Sequence, residues 1–469
     1  MQAYKAILAS LIGCSAFHAG CLWAKLALKK YPGDFDLHEL SQDLEDAYND
    51  RVRELEADRE IDKSELPYAK KSGKIYQKRY PWMNDTLFHR TQDQINVINK
   101  EDRTVNWKIK SVIFGPKSEE KKVEKGGDVG PFGMFAKRNI AQGEIIMVDK
   151  TVAGISSIPS SKGLHCDNCL AALVYPYITP QDICVPSCCD KVSYCSQKCM
   201  DQAMSGYHSQ LCGKNFDWIY EHHDVAAGET GETQECRSNW RPIMFLRLMA
   251  IVLADLEIFD FKHTNPLQHP VISRMAGNYR DPAPGNLRGV THDWQFWENV
   301  VAPTRVLMEL GVDIFSEPVY SQEVIQTVFW RFENNANMAA TSITGKISHV
   351  MAVNPNYLFL NHSCDPNVSW HGAVPNGSVS IRSLVDRDGK ILRPGTSAVW
   401  CIAGKKIKKG EELKISYIGD PQGTVGKKNE DRAAKRIHLE KWFDNGCGCD
   451  LCEKENKAGG ISHEIEAQS

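Results

Sequence analysis

The sequence lacks an excess of charge of either sign. Its 469 residues carry 56 Lys and Arg against 59 Asp and Glu, so the formal net charge is -3. Such a chain has no overall attraction to a phosphate backbone, and nucleic acid is not an expected partner. The dense basic run at 405–409 (KKIKK) precedes Gly410 and is typical of a solvated hairpin. With 42% apolar residues, the chain is long enough for two or three globular cores.

Long hydrophobic runs are also scarce. The run from Ala6 to Ala24 would suit a signal peptide or a marginal membrane anchor, but Gly13 interrupts it and favours a pair of soluble helices. This stretch is similar to one tetratricopeptide repeat at Tyr4, Ile7, Phe17, Gly20, Ala27, Leu28 and Pro32. We therefore expect a helical N-terminal region and no membrane association.

Cysteine is too sparse for a disulfide scaffold, because only 16 of the 469 residues are Cys. Their distribution is uneven, and eleven of them lie in two short windows, 166–212 and 447–452. Clusters of this kind are typical of zinc sites rather than disulfide frameworks. Free thiols also favour a reducing compartment, so we expect the protein in the nucleus, the cytoplasm or both.

The first window offers enough soft ligands for two tetrahedral zinc ions. The candidate ligands are Cys166, Cys169, Cys184, Cys188 or Cys189, Cys195, Cys199, His208 and Cys212. Short gaps within each pair let two thiolates bind one metal from a tight turn. A segment this small has too little apolar core to fold without metal. The choice between Cys188 and Cys189 stays open on these grounds.

The second window supplies three thiolates, which is one ligand short of a closed tetrahedral site. These are Cys447, Cys449 and Cys452, and the fourth ligand must come from elsewhere in the chain. Cys364 is the natural donor because it ends the motif NHSC at 361–364. A third zinc ion shared in this way would hold the C-terminal segment over the NHSC loop.

Several motifs, in their order along the chain, resemble the SET and MYND family of protein lysine methyltransferases. The motifs are PFGMFAKRNIAQGEII (131–146), the Cys-rich window, NHSCDPN (361–367), EELKISYIGD (411–420) and the final CxCxxC. The resemblance covers 130–453 and implies an α+β fold. Its expected parts are a SET domain of short β-sheets with a knot-like crossing, an inserted MYND zinc finger, a helical SET insertion and a helical N-terminal appendage.

The expected division of the chain follows from these motifs and from local patterns. It runs 1–105 helical with one TPR-like repeat, 106–165 first part of SET, 166–212 MYND-type zinc finger, 213–335 helical insertion, 336–425 core SET, 426–455 post-SET zinc region and 456–469 polar tail. Apolar periodicity predicts a buried helix at 240–258 and amphipathic helices at 294–312 and 322–335. Short strands are predicted at 134–136 and 144–148, and again from 349 onward.

The MYND resemblance also implies how the ligands are shared. Its interleaved pairs assign Cys166, Cys169, Cys195 and Cys199 to one ion. Cys184, Cys188 or Cys189, His208 and Cys212 would bind the other. Between the two adjacent cysteines, the five-residue spacing to Cys195 favours Cys189.

The SET resemblance implies the catalytic and cofactor residues. Tyr417 matches the catalytic tyrosine, whose hydroxyl borders the methyl-transfer pore and orients the amine. The residues matched to cofactor binding are Phe132, Gly133, Met134, Asn337, Leu360, Asn361, His362 and Tyr417. Asn335 is an alternative to Asn337, and Phe132 stands where family members carry a polar or basic residue. Trp442 or Phe443 would supply the aromatic contact that precedes the final cysteines.

The implied function is S-adenosylmethionine-dependent N-methylation of lysine in histone or non-histone proteins. In-line methyl transfer to an amine needs alignment and exclusion of water, so the three zinc ions would be structural. The expected partners are a protein substrate with its target lysine and proline-rich or other peptides bound by the MYND module, and the chain is expected to be a monomer. The alternative is a catalytically inactive SET and MYND adaptor.

Overall fold

The structure is a computed structural model of the whole chain. The residues it describes are 1–58, 63, 66–76, 78–101, 106–112, 124–175, 178–221, 240–259, 265–277, 291–343, 346–371, 398–417, 439, 443 and 447–452. The predicted tail at 456–469 lies outside them, as does most of 426–446.

The described residues combine helices with short sheets, as the α+β prediction requires. The helices are α1 (Gln2–Gly13), α2 (Phe17–Lys30), α3 (Phe35–Ala57), α4 (Leu66–Lys71), α5 (Gln92–Glu101), α6 (Gln197–Met204), α7 (His208–Leu211), α8 (Trp218–Glu221), α9 (Trp240–Phe259), α10 (Pro270–Ser273), α11 (Ala302–Leu310) and α12 (Gln322–Asn335). A π-helical turn, Trp297–Val301, leads into α11. Short 3-10 turns include Asp85–Phe88 and Tyr357–Phe359.

The N-terminal helices form a small core of their own. The apolar run splits into α1 and α2, as predicted, and both pack against α3 around the fully buried Leu8, Leu37 and Leu44. Gly20 allows this close packing, because a Cβ there would lie 2.4 Å from a methyl carbon of Leu44. Within the described residues, no helix combines the length and apolarity needed to cross a membrane.

The helical middle of the chain surrounds the largest core. Helix α9 confirms the predicted buried helix and packs against α11 and α12. Fully buried residues such as Phe245, Phe329 and Phe332 fill this core. A three-stranded antiparallel sheet lies beside it and also packs on α9.

The described strands form five short sheets. They are β1 (Gly73–Tyr76), β2 (Trp107–Ser111), β3 (Phe132–Ala136), β4 (Ile145–Asp149), β5 (Ala153–Ser156), β6 (Thr291–Trp294), β7 (Ala336–Ile343), β8 (Lys346–Val353), β9 (Asn361–His362), β10 (Val368–His371), β11 (Val399–Ala403) and β12 (Lys414–Ile415). The sheet orders are β1-β6, β10-β11-β4, β12-β9, β2-β3 and β5-β8-β7. Only β12 and β9 pair in parallel among the described strands.

A second core joins the sheets that carry the SET motifs. Strands β2, β3, β4 and β11 contribute Trp107, Met134, Ile146 and Val399 to this core. The buried Asp149 at the end of β4 accepts backbone N–H groups of Asn356 and Tyr357, at 2.8 and 2.7 Å. Because these residues lead directly into β9, the carboxylate fixes the start of the NHSC segment.

Candidate active site and metal centres

Four cysteines from the first window form one compact group. The ligand atoms of Cys166, Cys169, Cys195 and Cys199 lie within 4.8 Å of one another, which is the grouping that the MYND resemblance implies. Cys169 Sγ lies 3.5 Å from Cys195 Sγ, and Cys195 Sγ lies 3.7 Å from Cys199 Sγ. Hydrogen bonding from Cys166 and Cys169 lowers the pKa of Cys195 to about 7, while hydrogen bonding within the group raises the pKa of Cys169, so Cys195 carries thiolate charge more readily than Cys169.

Local turns bring these cysteines together. The backbone N–H of Leu170 donates to Cys166 O at 2.9 Å, and Leu170 adopts a left-handed φ of 60° that reverses the chain after Cys169. On the other side, Ser196 caps α6 by accepting the N–H of Cys199 at 3.3 Å. The cap places Cys199 in the first helical turn, facing Cys195.

The second group differs from the prediction in one ligand. It contains Cys188, Cys189, His208 and Cys212, and its Cys188 and Cys189 Sγ atoms lie 3.4 and 3.7 Å from His208 Nε2. The predicted ligand set is corrected at Cys184, because its thiol lies outside this group. Its backbone pairs with Tyr194 through two hydrogen bonds of 2.9 and 2.8 Å.

The sequence left a choice between Cys188 and Cys189, but in the structure both thiols belong to the second group. The backbone pairing directs the chain at residue 184 into a short ladder, and the turn that follows presents two consecutive thiols to His208. Burial lowers the pKa of His208, so its imidazole is neutral and can bind a metal through Nε2.

The third group joins the NHSC loop to the C-terminal segment. Cys364, Cys447, Cys449 and Cys452 form it, as the sequence predicts. Cys364 Sγ lies 3.6 Å from both Cys447 Sγ and Cys452 Sγ, and the latter two lie 3.7 Å apart. The hydrogen bond between Cys364 and Cys447 lowers the pKa of Cys447 to about 3 and raises the pKa of Cys364, so the thiolate charge falls on Cys447.

The sulfur spacing within the first and third groups fits zinc. A tetrahedral ion with Zn–S bonds of about 2.3 Å separates its sulfur ligands by about 3.8 Å, whereas a disulfide requires about 2.05 Å. The observed sulfur separations of 3.5–3.7 Å match the former. Each group could therefore hold one zinc ion, with four protein ligands and no open position for catalysis.

The NHSC and SxY motifs meet where β9 pairs in parallel with β12. Asn361 lies beside Lys414 and His362 beside Ile415, and the N–H of Ser363 donates to Ile415 O at 2.8 Å. Asn367 extends this contact, because its amide oxygen accepts the N–H of Lys414 at 2.8 Å. The pairing fixes the two residues that follow β12, of which the second is Tyr417.

The partly buried Tyr417 is bonded at both its backbone and its side chain. Its hydroxyl donates to Leu360 O at 3.0 Å, and its N–H donates to His362 Nδ1 at 3.0 Å. Burial, and then the charge of Glu412, raises the pKa of Tyr417, so the phenol stays protonated. With its proton directed at a carbonyl, the hydroxyl oxygen can still accept a hydrogen bond from an amine.

His362 connects Tyr417 to the third metal group. While Nδ1 accepts the Tyr417 N–H, Nε2 lies 3.4 Å from Cys364 Sγ and can donate its proton to that sulfur. Such outer hydrogen bonds to a metal-binding sulfur fix ligand orientation. Since the imidazole is used in this way, His362 can offer a cofactor only its backbone.

The SET domain family matches residues 131–418 of the chain. This chain belongs to the SET domain family. A comparison with curated proteins found no match. SET domains are generally protein lysine methyltransferases that use S-adenosylmethionine. Tyr417 and the β9 and β12 pairing lie within the matched range, as do the first two metal groups.

Two of the predicted cofactor residues, Asn361 and Gly133, lie close together beside this pairing. Asn361 donates its amide N–H groups to Phe132 O at 3.2 Å and to Glu412 Oε1 at 2.8 Å, which leaves the amide oxygen as an acceptor for a ligand ammonium. Gly133 leaves room here, because a Cβ would lie 2.4 Å from Val112 Cγ2, 2.8 Å from Glu412 Oε1 and 3.0 Å from Asn361 Nδ2. These donors and acceptors suit the amino-acid part of S-adenosylmethionine.

Other predicted cofactor residues contribute through the backbone or lie apart. The side chains of Phe132, Met134 and Leu360 are buried in the second core, so a ligand can meet only their main chain. Asn337 lies on β7 opposite Ala352, in a different sheet from β9 and β12.

Asn335, the alternative to Asn337, already forms hydrogen bonds with other residues of the chain. The Asn335 amide accepts the N–H of Ala276 at 3.1 Å and donates to Ala276 O and Arg331 O, at 2.7 and 2.6 Å. These bonds hold the end of α12 and use both amide N–H groups of Asn335, so it cannot donate a hydrogen bond to a cofactor. Asn337 therefore remains the candidate of the two.

Of the two predicted aromatics, Phe443 lies at the site. Its ring stacks on Tyr417 at a centroid distance of 6.3 Å and lies 5.9 Å from His362. Trp442 is outside the described residues. Sequence reasoning missed Arg90, whose guanidinium carbon lies 4.1 Å from the ring centroid of Phe132. No motif marks this residue, because it comes from a segment before the SET match.

Proposed function

We propose that the chain is an S-adenosylmethionine-dependent protein lysine N-methyltransferase. The observation that carries this proposal is the position of Tyr417, a protonated phenol held on Leu360 O beside Asn361 and Gly133. We also propose that the segments carrying β9 and β12 cross in a knot-like arrangement and that 166–212 is a MYND zinc finger. Histone and non-histone lysines are both accepted as candidate substrates.

The residues of the site supply alignment rather than covalent chemistry. When bound, S-adenosylmethionine supplies an activated methyl group on a sulfonium. The Tyr417 hydroxyl oxygen accepts a hydrogen bond from the target amine and so orients its lone pair. The ring of Phe443 packs on the opposite part of the tyrosine and excludes water. Asn361 and the backbone at Gly133 hold the amino-acid end of the cofactor.

The test of the proposal is Tyr417→Phe, which removes one oxygen and keeps the ring. Turnover should fall on the order of a hundredfold, because a hydrogen bond that orients the reacting amine is lost. Cofactor affinity and thermal stability should change little. Methyl transfer and the number of methyl groups added are followed by mass spectrometry on histones and a cell-lysate panel. Equal rates and products for both proteins would remove Tyr417 from the mechanism.

A catalytically inactive adaptor is the second candidate. One observation favours it: the Phe132 side chain is buried at 3% exposure, so this strand position offers no polar side chain to a cofactor. In that case, 166–212 would bind proline-rich or other peptides and the SET domain would be a scaffold. Calorimetric titration with S-adenosylmethionine separates the two, since an adaptor with no cofactor site releases no binding heat. We also propose a monomer located in the nucleus, the cytoplasm or both.

A further inference from the structure

Arg90 brings a cation from outside the SET match into the proposed cofactor site. It lies between the Asp85–Phe88 turn and α5. Its guanidinium carbon lies 4.1 Å from the ring centroid of Phe132 and 5.6 Å from that of Phe359. The first ring directly precedes Gly133, and the second is two residues before Asn361. The guanidinium therefore contacts the side chains of residues that lie next to both proposed cofactor-binding segments.

The hydrogen bonds of this guanidinium are incomplete. Its Nη2 donates to Arg274 O at 3.0 Å, whereas Nε is enclosed and has no hydrogen-bond partner among the described residues. Burial, and then the like charge of Arg331, lowers the pKa of Arg90 to about 10, so the group is still a cation at neutral pH. An enclosed cationic N–H group without an acceptor is costly, which points to an acceptor supplied by a ligand.

Charged groups of both signs act on Arg90. Asp128 is exposed, and one of its carboxylate oxygens accepts the backbone N–H groups of Arg90 and Gly130, at 3.2 and 3.0 Å. Its charge supports that of Arg90, while Arg331 opposes it. Arg90 also acts electrostatically on Tyr417, which places the cation close to the reaction centre.

We propose that Arg90 binds the α-carboxylate in the methionine part of S-adenosylmethionine. The inference rests on the proposed function. The cofactor carries a carboxylate, an ammonium and a sulfonium, and a guanidinium attracts only the first. The fork of N–H donors in arginine matches the two oxygens of a carboxylate. Arg90 thus supplies a basic group where β3 itself presents the buried ring of Phe132.

The experiment compares S-adenosylmethionine with its decarboxylated form, which keeps the ammonium and the sulfonium. Both are titrated by calorimetry into the wild type, Arg90→Gln and Arg90→Lys. Arg79→Gln is the matched control, because Arg79 is an exposed cation 5.1 Å from the ring of Phe88. Zinc content and thermal unfolding verify that each variant is folded.

The wild type should prefer the carboxylated ligand by about tenfold or more, as expected for a charge-assisted hydrogen bond. In Arg90→Gln this preference should fall to less than about threefold, mainly through weaker binding of S-adenosylmethionine. Arg90→Lys should keep an intermediate preference, because it retains the charge but loses the fork. Arg79→Gln should keep the preference of the wild type.

Other results would overturn the inference in distinguishable ways. If Arg90→Gln does not fold, an unchanged preference in Arg90→Lys contradicts the proposal. Equal losses for both ligands would give Arg90 a structural role only. An unchanged preference combined with a raised KM for an acidic peptide would assign the cation to a substrate carboxylate. If the wild type binds neither ligand, the proposed function itself fails.

Discussion

The two metal groups within 166–212 and the third group at the C-terminal segment use the same ligands in different ways. The first two draw all their ligands from 47 consecutive residues. The third joins Cys364 to Cys447, which is 83 residues further along the chain. The sulfur of Cys364 also contacts His362, which is beside Tyr417. The local groups therefore support their own module, whereas the third group supports the proposed active site.

Zinc binding can therefore have two different effects in one chain, which are to fold a local module and to restrain an active-site loop. A structural zinc in a small module contributes about 10–16 kcal/mol of folding free energy at neutral pH in zinc-finger peptides. Zinc bound within 166–212 would order a minor core around Tyr194 and Ala203. Zinc bound at the third group would instead restrain the NHSC loop, the C-terminal segment and the hydrogen bond between Tyr417 and His362.

The comparison is tested most severely by Cys447→Ser. We expect the loss of one zinc ion per chain and a fall in cofactor affinity and methyl transfer of at least about tenfold, because the His362 contact loses its anchor. Metal analysis and calorimetric titration measure both effects. Cys14→Ser is the control, since Cys14 belongs to none of the three groups. Unchanged affinity after verified zinc loss would separate the third group from the active site.

Cys199→Ser should have the opposite profile. We expect the loss of at least one zinc ion and rapid proteolysis within 166–212, because the minor core cannot persist without metal. Cofactor affinity should stay within about twofold of the wild type, since this group shares no ligand with the third group beside Tyr417. Limited proteolysis with calorimetry checks this. A cofactor affinity as low as that of Cys447→Ser would make the two regions equivalent.

The junction between the module and α9 provides a smaller effect. Asp167 and Arg247 form a buried pair with Oδ1 and Nη2 2.9 Å apart, and the Tyr207 hydroxyl donates to Asp167 at 2.9 Å. Asp167→Asn should cost about 3–5 kcal/mol at neutral pH, because it leaves a buried guanidinium without its counter-charge. Asp217→Asn is the control, since its pair with Lys191 is about half exposed.

Denaturant unfolding followed by tryptophan fluorescence measures the cost at the junction. Zinc content should be retained in Asp167→Asn. A cost equal to that of Asp217→Asn, within about 0.5 kcal/mol, would mean that the pair does not hold the module on α9.

The smallest effect is expected at Cys184. Cys184→Ser should keep all three zinc ions, because its thiol lies outside the second group. Cys188→Ser should lose one ion, although its neighbour Cys189 remains. Metal analysis of the two variants decides between the observed ligand set and the one predicted from sequence. Loss of zinc only in Cys184→Ser would restore the latter.

Much of the site could be predicted because its motifs are short runs of residues whose types and number already indicate the site that they form. The NHSC and CxCxxC motifs each lack a complete ligand set, and together they complete one, so Cys364 was found. The helix at 240–258 was visible as an uninterrupted apolar stretch and is observed as Trp240–Phe259. In these cases the signal lies in consecutive residues or in ligand number.

Other features depend on contacts that no local pattern records. Strand β7 was not predicted, because its Ala, Thr and Ser residues do not alternate in hydropathy and it exists through pairing with β8. Cys184 was misassigned because its backbone ladder with Tyr194 is a tertiary contact. Arg90 could not be identified since its partner ring, Phe132, is 42 residues away in the chain.

The long separation between Cys364 and Cys447 has a consequence for the order of events during synthesis. Cys452 follows Cys212 by 240 residues, so at about 5–20 residues per second the ribosome produces it roughly 12–48 s later. The metal groups of 166–212 can mature on the nascent chain during that interval. The third group can close only after Cys452 has been made, so the proposed active site would be completed after the two metal groups of 166–212.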